Sequence, residues 1–231
     1  MTAQQEWISR IEAASHDLGR SSTAIRVADL LRGEIASGRL KPGDRLPEDK
    51  LCAAARVSRN TMREAFRLLA MEGLVVHEFN RGVFVRRLTV EDLVDVYRMR
   101  RILECAGVQN AAAAGPVAVA RVVEAVEQGE RAAAAGDWAS VGTADIAFHG
   151  ALGALCRSPR VDDTMRRILA ELRLVFHVMG SPREFHRPYL HRNRMIADLL
   201  WRGDREAAER ELRSYLDDAE AQLTAAYRAL T

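Results

Sequence analysis

One segment of the sequence combines regularly spaced cations with a regular apolar stripe. Between Val57 and Gly73, arginines recur at every fourth position, as Arg59, Arg63 and Arg67. Apolar residues recur there at the spacing of one helical face, as Met62, Ala65, Phe66 and Leu69. Guanidinium groups bind phosphates and guanine edges in a DNA major groove, and an amide such as that of Asn60 suits adenine. The segment therefore predicts a DNA-recognition helix, although the stripe alone would also fit an ordinary solvated helix.

The neighbouring segments predict the elements that would hold this helix. Ser58 is a good N-cap for it, and two helical patterns precede it, one ending before Gly38 and one beginning near Pro47. Two β-like runs follow at residues 74–76 and 83–85, with a hairpin tip at residues 80–82. Three helices followed by a two-stranded hairpin predict a winged helix-turn-helix.

The sequence after Thr89 predicts helices almost throughout. A long amphipathic helix should run to about Ala114, where Gly115 and Pro116 stop it. Further helices are expected over residues 117–135, 139–157, 161–179, 188–202 and 204–230. The predicted fold class is mainly α, an N-terminal winged helix-turn-helix with a two-stranded wing plus a C-terminal all-α helical bundle. The predicted parts are an N-terminal arm or extra helix (1–21), a DNA-binding domain (22–87) and the bundle (88–231).

Charge and composition agree with a DNA-binding part joined to another domain. The 231 residues carry a net charge of +2, but residues 22–87 alone hold 13 Lys and Arg against 8 Asp and Glu. A local excess of basic residues suits contact with nucleic acid. The three cysteines form no paired motif, and no apolar run is long enough to cross a bilayer. A cytoplasmic protein without membrane contact is expected.

Several separated motifs carry a family resemblance through their order and spacing. They are Leu40-Lys41-Pro42-Gly43-Asp44-Arg45-Leu46, Val57-Ser58-Arg59, Arg63-Glu64-Ala65, Glu72-Gly73-Leu74 and Arg81-Gly82-Val83-Phe84-Val85. With these motifs the N-terminal part closely resembles the GntR family of bacterial transcription regulators. The helical part contains Asp145-Ile146-Ala147-Phe148-His149 and resembles the FadR-type subgroup, whose second domain is an FCD effector-binding domain.

This resemblance implies a homodimeric regulator that binds a palindromic DNA operator and responds to a small molecule. The residues that match the recognition-helix positions, and that would contact bases or phosphates, are Arg59, Asn60, Thr61 and Arg63. Arg81 and Gly82 would form the wing tip. Asp49 stands where relatives often carry a DNA-contacting arginine. Either Lys50 takes over that contact or the contact is missing.

The spacing places Arg100 and Glu104 within the apolar face of the long helix, not at its edge. A buried guanidinium must be paired, and two solutions are open. Glu104 can pair with Arg100 internally, or Arg100 can bind the carboxylate of a small organic acid through two parallel hydrogen bonds. The family resemblance favours the ligand. The neighbouring Arg101 is expected to be solvated.

Asp145 and His149 are four residues apart, so they can be metal ligands together or form a hydrogen-bonded core pair. Many FCD domains add two histidines, and the matching positions here are Asn193 and Tyr215. Amide and phenol groups are poor ligands for a transition metal. The sequence therefore indicates no definite cofactor and at most a weakly held divalent cation. The predicted effector site comprises Arg100, Asp145, His149, Asn193 and Tyr215, with the last two donating hydrogen bonds to the ligand.

The other histidines and two other functions complete the sequence-based interpretation. No partner spacing marks His16, His77, His177 and His186, which are treated as background. A metal-dependent hydrolase could use Asp145 and His149, but the sequence offers no nucleophile motif and no full ligand set. A non-specific nucleoid protein would bind DNA with a steep salt dependence and no sequence preference. The sequence favours a transcription regulator.

Overall fold

The computed structural model describes Ser9 and residues 23–176 and 181–229. The chain forms two compact units, Met1–Leu88 and Thr89–Thr231. Apart from Ser9, the predicted N-terminal arm lies outside the described residues, as do His16 and His177. Within the described ranges, no helix combines the length and the apolar character that spanning a membrane requires.

The described part of the first unit contains helices and a small antiparallel sheet. Its elements are α1 (Thr23–Ala36), β1 (Arg45–Leu46), α2 (Glu48–Ala55), α3 (Arg59–Met71), β2 (Val75–Glu78) and β3 (Gly82–Val85). Strand β3 is central, with β1 and β2 on its two sides. The predicted two-stranded wing is thus extended by a third strand, because Arg45 and Leu46 pair with Phe84 and Val83.

Helix α3 begins where the sequence predicts. Ser58 is its N-cap, and the Ser58 side chain accepts a hydrogen bond from the amide of Thr61 at 3.1 Å. The predicted apolar stripe is buried: Met62, Ala65, Phe66 and Leu69. Burial of this stripe sets the rotation of the helix, so the arginines at 59, 63 and 67 are exposed to solvent.

The second unit is a helical bundle in its described residues. Its helices are α4 (Val90–Ala114), α5 (Pro116–Ala134), α6 (Trp138–Ala154), α7 (Pro159–Phe176), α8 (Pro182–Trp201) and α9 (Arg205–Arg228). A capping box of Thr89 and Asp92 starts α4. Helix α8 begins earlier than the predicted residue 188, because Ser181 caps it and Pro188 is accommodated inside. A proline there removes one backbone donor without ending the helix.

Helix α6 is central in the second unit. It packs against α4, α5, α7 and α8, while α9 packs against α4 and α8. The contact between α4 and α6 is close, since a Cβ added at Gly107 would stand 2.0 Å from the carbonyl oxygen of Leu152. This packing gathers buried polar side chains from four helices. The predicted fold class, a winged helix-turn-helix followed by an all-α bundle, is confirmed.

Candidate functional site

The solvent side of α3 presents two of the predicted DNA-binding arginines. The side chains of Arg59 and Arg63 are 70% and 65% exposed. Each contacts a carboxylate at the start of α2: Arg59 Nη2 lies 2.9 Å from Asp49 Oδ1, and Arg63 Nε lies 3.0 Å from Glu48 Oε1. Exposed ion pairs are weak, so both guanidinium groups can exchange these carboxylates for phosphates or base edges.

Asn60 and Thr61 lie at the N-terminus of α3. Asn60 is exposed. Thr61 is half-buried, and its amide nitrogen and hydroxyl lie 3.1 Å and 2.9 Å from Ser58 Oγ. The N-terminus of a helix attracts phosphate groups. This end of α3 can therefore orient the helix on a DNA backbone, while the arginines reach base edges.

An open groove of about 720 Å³ runs between α2, α3 and the sheet. Basic side chains dominate its lining: Arg45, Lys50, Arg59, Arg63 and Arg67. Glu48 and Asp49 supply the carboxylates in the same groove. The excess of positive charge favours a polyanion. Asp49 stands at the position where relatives often carry an arginine. Lys50 is exposed next to it, so a cation does lie beside that position.

The hairpin tip between β2 and β3 carries the predicted wing residues. Arg81 forms an ion pair with Glu78, and its guanidinium carbon lies 5.3 Å from the centre of the Phe84 ring. Gly82 has a φ of 110°, a conformation that other residues rarely adopt. Phe79, which no sequence motif singles out, is 90% exposed at this tip. The tip therefore presents cationic and aromatic groups on a tight turn.

The buried polar cluster of the second unit begins on α4. Arg100 Nε donates a hydrogen bond to Glu104 Oε1 at 2.7 Å, so the internal pair is present. Glu104 Oε2 lies 2.6 Å from Nδ1 of His149 on α6. Arg100 and Glu104 are 1% and 0% exposed. The Arg100 guanidinium also stacks on Tyr97, with 4.8 Å between its central carbon and the ring centre. Glu104 thus links Arg100 to His149.

The cluster continues from His149 to α8 and α9. His149 Nε2 lies 3.0 Å from the hydroxyl of Tyr215 on α9, and this hydroxyl donates to Asp145 Oδ1 at 3.1 Å. Nδ2 of Asn193 on α8 donates to the same oxygen at 2.8 Å. The structure thus brings together all five residues of the predicted effector site. Tyr215 donates its hydroxyl hydrogen to Asp145, and Asn193 donates one amide hydrogen to it.

Both ring nitrogens of His149 have partners in this cluster. Glu104 is a carboxylate and only accepts, so Nδ1 of His149 donates to it. Nε2 contacts the hydroxyl of Tyr215, which is also within hydrogen-bond distance of Asp145. His149 thus connects the two carboxylates of the cluster, Glu104 directly and Asp145 through Tyr215.

Both carboxylates of the cluster remain ionised. Burial alone would raise the pKa of Glu104, but the charges of Arg100 and His149 and their hydrogen bonds hold it below its ordinary value. Burial would also raise the pKa of Asp145, but the interaction with His149 and the Asn193 hydrogen bond help to hold that pKa below its ordinary value. Asp145 and Glu104 are therefore acceptors and not donors.

These residues do not suit a transition metal. His149 Nε2 and Asp145 Oδ1, the atoms that would chelate, are 3.8 Å apart, and the Tyr215 hydroxyl bridges them. Burial and the charge of Asp145 raise the pKa of Tyr215 well above its ordinary value, so the phenol keeps its proton. Asn193 turns its N–H group to Asp145, where a ligand set would turn an oxygen to the metal. Across the described residues, no three His, Cys, Asp or Glu side chains are grouped as metal ligands.

The prediction that Arg101 is solvated is wrong. The Arg101 side chain is only 26% exposed. It forms ion pairs with Asp217, at 2.7 Å, and with Glu220, both on α9. These partners lie more than a hundred residues away in the chain, so no local spacing could reveal them. Arg101 joins α4 to α9 beside the buried cluster.

His186, treated as background from the sequence, is buried beside the same cluster. The position of its ring leaves no room for a side chain at Gly142, where an added Cβ would stand 2.9 Å from His186 Nε2. Gly142 lies one turn before Asp145 on α6. His186 precedes Asn193 by two helical turns on α8, which is the spacing of one face. The predicted helix start at residue 188 concealed this relation, since it left His186 outside the helix.

Comparison with known proteins assigns both units. Residues 23–85 match the model of bacterial regulatory proteins of the gntR family, and residues 95–218 match the model of the FCD domain. This chain belongs to the GntR family. The Nta operon transcriptional regulator of Aminobacter aminovorans is 32% identical to this GntR-family protein over 164 residues, which are 68% of this chain and 76% of that protein.

Solved structures share the fold of this GntR-family protein. A structure from Rhodococcus sp. RHA1, described as a transcriptional regulator GntR, is 50% identical and superposes with a TM-score of 0.84. The match covers 90% of this chain and 100% of that chain. E. coli McbR/YncC superposes with a TM-score of 0.76 at 21% identity, over 90% of this chain and 100% of that chain.

Membership of the GntR family with an FCD domain makes this protein a DNA-binding transcription regulator and not an enzyme. The alternative of a metal-dependent hydrolase that uses Asp145 and His149 is therefore wrong.

Proposed function

We propose that this GntR-family regulator binds a palindromic operator as a homodimer and is switched by a small carboxylate effector in the cytoplasm. Residues 22–87 would bind DNA, and residues 88–231 would bind the effector and dimerise, with residues 1–21 as an N-terminal arm. The proposed response to a ligand is supported mainly by the environment of Arg100. Arg100 is 1% exposed, and its Nη2 has no hydrogen-bond partner among the described residues.

In this proposal α3 enters the major groove. Base and phosphate contacts would come from the exposed face of α3, through Arg59, Asn60, Thr61 and Arg63. Lys50 would neutralise a phosphate, and Arg81 and Gly82 would bring the wing tip to the neighbouring minor groove. A dimer would present two such helices about one turn of DNA apart, so the operator would be palindromic.

The effector would occupy the buried cluster of Arg100, Asp145, His149, Asn193 and Tyr215. A carboxylate is the natural partner for a buried guanidinium, because it accepts charge-assisted hydrogen bonds. Binding there needs no metal ion. A free-energy coupling of about 1–3 kcal/mol between effector and operator would suffice for a switch.

Operator binding by Arg63→Ala tests the DNA-binding part of the proposal. The assay is fluorescence anisotropy with DNA from upstream of the protein's own gene. We expect specific affinity to fall about ten- to a hundredfold, as for loss of one base-contacting arginine. Arg166→Ala is the matched control, since Arg166 forms a similar exposed pair with Asp163 at 2.7 Å in the second unit. No specific complex at moderate salt, or equal affinities of the two variants, would refute the proposed contact of Arg63 with the operator.

A thermal-shift screen tests the effector part. Small organic acids and divalent metals are added separately to the purified protein, because a ligand of the native state raises the melting temperature. We expect at least one acid to raise it and to weaken operator binding, while metals alone have no such effect. Sedimentation equilibrium tests the dimer, and a monomer at the concentrations that saturate the operator would contradict it.

A further inference from the structure

Three buried polar atoms on α4 and α8 have no hydrogen-bond partner among the described residues. They are Arg100 Nη2, His186 Nδ1 and Asn193 Oδ1. Their side chains are 1%, 4% and 2% exposed. Buried polar atoms in native proteins are almost always paired, so each of these needs a partner that the described residues do not supply.

The three atoms belong to one cluster. Asn193 Nδ2 is bonded to Asp145, and Arg100 is connected to Asp145 through Glu104, His149 and Tyr215. His186 Nε2 lies against Gly142, one turn before Asp145 on α6, since a Cβ added at Gly142 would stand 2.9 Å from it. The missing partners therefore point to one molecule, or to a few waters, in one place.

The chemistry of two of the atoms is determined by their neighbours. Arg100 has only N–H donors. Its guanidinium stacks on the Tyr97 ring, and the hydrogens of Nη2, which lie in the guanidinium plane, have no acceptor among the described residues. Asn193 must turn its N–H group to the ionised Asp145, so its free atom is the oxygen, which only accepts. His186 Nδ1 can donate or accept, depending on the tautomer, so it does not discriminate between classes of ligand.

A plain carboxylate can satisfy Arg100 but has no hydrogen for Asn193, and a metal ion would be repelled by Arg100. We propose that the effector is a carboxylate that also carries a hydroxyl or amino group, with the carboxylate on Arg100 and the O–H or N–H donating to Asn193 Oδ1. This inference rests on the proposed effector site. A zwitterionic amino acid would add no net charge to the cluster, whereas a hydroxy acid would add one negative charge.

Matched acids test the inference on the full-length protein. Each set contains a plain acid, its 2-hydroxy form and its 2-amino form: propionate, lactate and alanine; succinate, malate and aspartate; glutarate, 2-hydroxyglutarate and glutamate. Isothermal titration calorimetry gives the affinities. We expect one substituted acid to bind about tenfold or more tightly than its plain partner, since it satisfies a buried acceptor. Equal affinities within every set, or no binding by any acid, would overturn the inference and leave waters as the partners.

Two variants locate the preference. Asn193→Leu removes Asn193 Oδ1 from the cluster, whereas Asn110→Leu removes an asparagine outside it, which donates to the carbonyl oxygen of Leu155 at 2.6 Å. We expect the ratio of affinities between substituted and plain acid to fall to about one in Asn193→Leu and to persist in Asn110→Leu. A ratio that persists in Asn193→Leu would overturn the inference. If Asn193→Leu does not fold, the matched acids with the unmodified protein decide the question alone.

Operator binding separates this inference from the proposed function. A substituted acid that binds with the expected preference but leaves operator affinity unchanged would support the ligand class and contradict the switch. A plain acid that binds as tightly as its substituted partner and releases the operator would support the switch and overturn the ligand class.

Discussion

The hydroxyl of Tyr215 lies 3.0 Å from Nε2 of His149 and donates its hydrogen to Asp145, so one phenol connects the two residues that could have chelated a metal. Tyr215 is 3% exposed, and all three groups are buried. Loss of the hydroxyl would leave His149 Nε2 without this hydrogen-bond partner. Tyr215 therefore holds α6 and α9 together through polar contacts.

Tyr215→Phe should lower the free energy of unfolding by about 1–3 kcal/mol, because a buried charged group loses its hydrogen bond. Urea denaturation measures this change. Tyr189→Phe is the matched control, since the Tyr189 hydroxyl makes a half-buried hydrogen bond of 2.7 Å to Gln222 and should contribute about 1 kcal/mol or less. Equal losses in the two variants would contradict the role assigned to Tyr215.

Protein stability should decrease as the pH falls below about 6.5, and His186 should contribute to the decrease. Burial lowers the pKa of His186 below its ordinary value of 6.5, with Asp145 acting against burial. Below pH 6.5 the His186 imidazole of the unfolded chain therefore binds a proton that the folded chain does not bind. The free energy of unfolding then decreases as the pH falls, until the pH is below the pKa of His186 in the folded chain. The lowered pKa values of Glu104 and Asp145 act in the same direction at lower pH.

His186→Gln tests this contribution. The free energy of unfolding, measured in urea between about pH 5 and 7, should depend less on pH in the variant than in the unmodified protein. His191→Gln is the matched control, because it removes an exposed imidazole from the same helix. A pH dependence that His186→Gln leaves unchanged would show that His186 does not stay neutral in the fold.

Asp49→Asn should increase operator affinity about three- to tenfold at low salt. The Asp49 carboxylate lies in the basic groove, where it pairs with Arg59 and would repel phosphates. The gain should shrink as salt rises, because screening weakens the repulsion. Asp163→Asn, which removes an exposed carboxylate of the second unit, should leave operator affinity unchanged. Weaker binding by Asp49→Asn at every salt concentration would instead indicate that the carboxylate contacts a base, such as the amino group of cytosine.

Gly107→Ala should destabilise the second unit by about 2 kcal/mol or more, because the new Cβ would meet the Leu152 carbonyl oxygen at 2.0 Å and push α4 away from α6. Thermal unfolding followed by circular dichroism measures the loss. Gly150→Ala is the control on α6, since its Cβ would meet Leu169 at an ordinary 3.6 Å and alanine favours a helix. A stable Gly107→Ala variant would mean that α4 and α6 can separate at little cost.

The elements that local chemistry determines could be predicted from the sequence. Ser58 and Thr89 cap helices where expected, because a hydroxyl needs only the amides of the next turn. The stripe of α3 is buried as expected, because a period of 3.6 residues already selects one face. The pairing of β1 with β3 was missed because a strand of two residues, Arg45 and Leu46, has no period to detect.

The buried cluster could be predicted only in part. The spacing within each helix and the family resemblance together selected its members, including Arg100 and Asp145. The partner of each polar atom depends on how α4, α6, α8 and α9 pack, and that packing turned the Asn193 amide to Asp145 and left its oxygen free. Arg101 and His186 were misjudged for the same reason, since their neighbours are distant in the chain.

The capping box at Thr89 gives α4 a further property. Arg100 lies on the same uninterrupted helix as this cap, about 15 Å along the axis at 1.5 Å per residue. Val90, the first residue of this helix, follows directly on the junction of the two units at Leu88 and Thr89. A tilt of α4 as a rigid rod about Arg100 would displace that first residue.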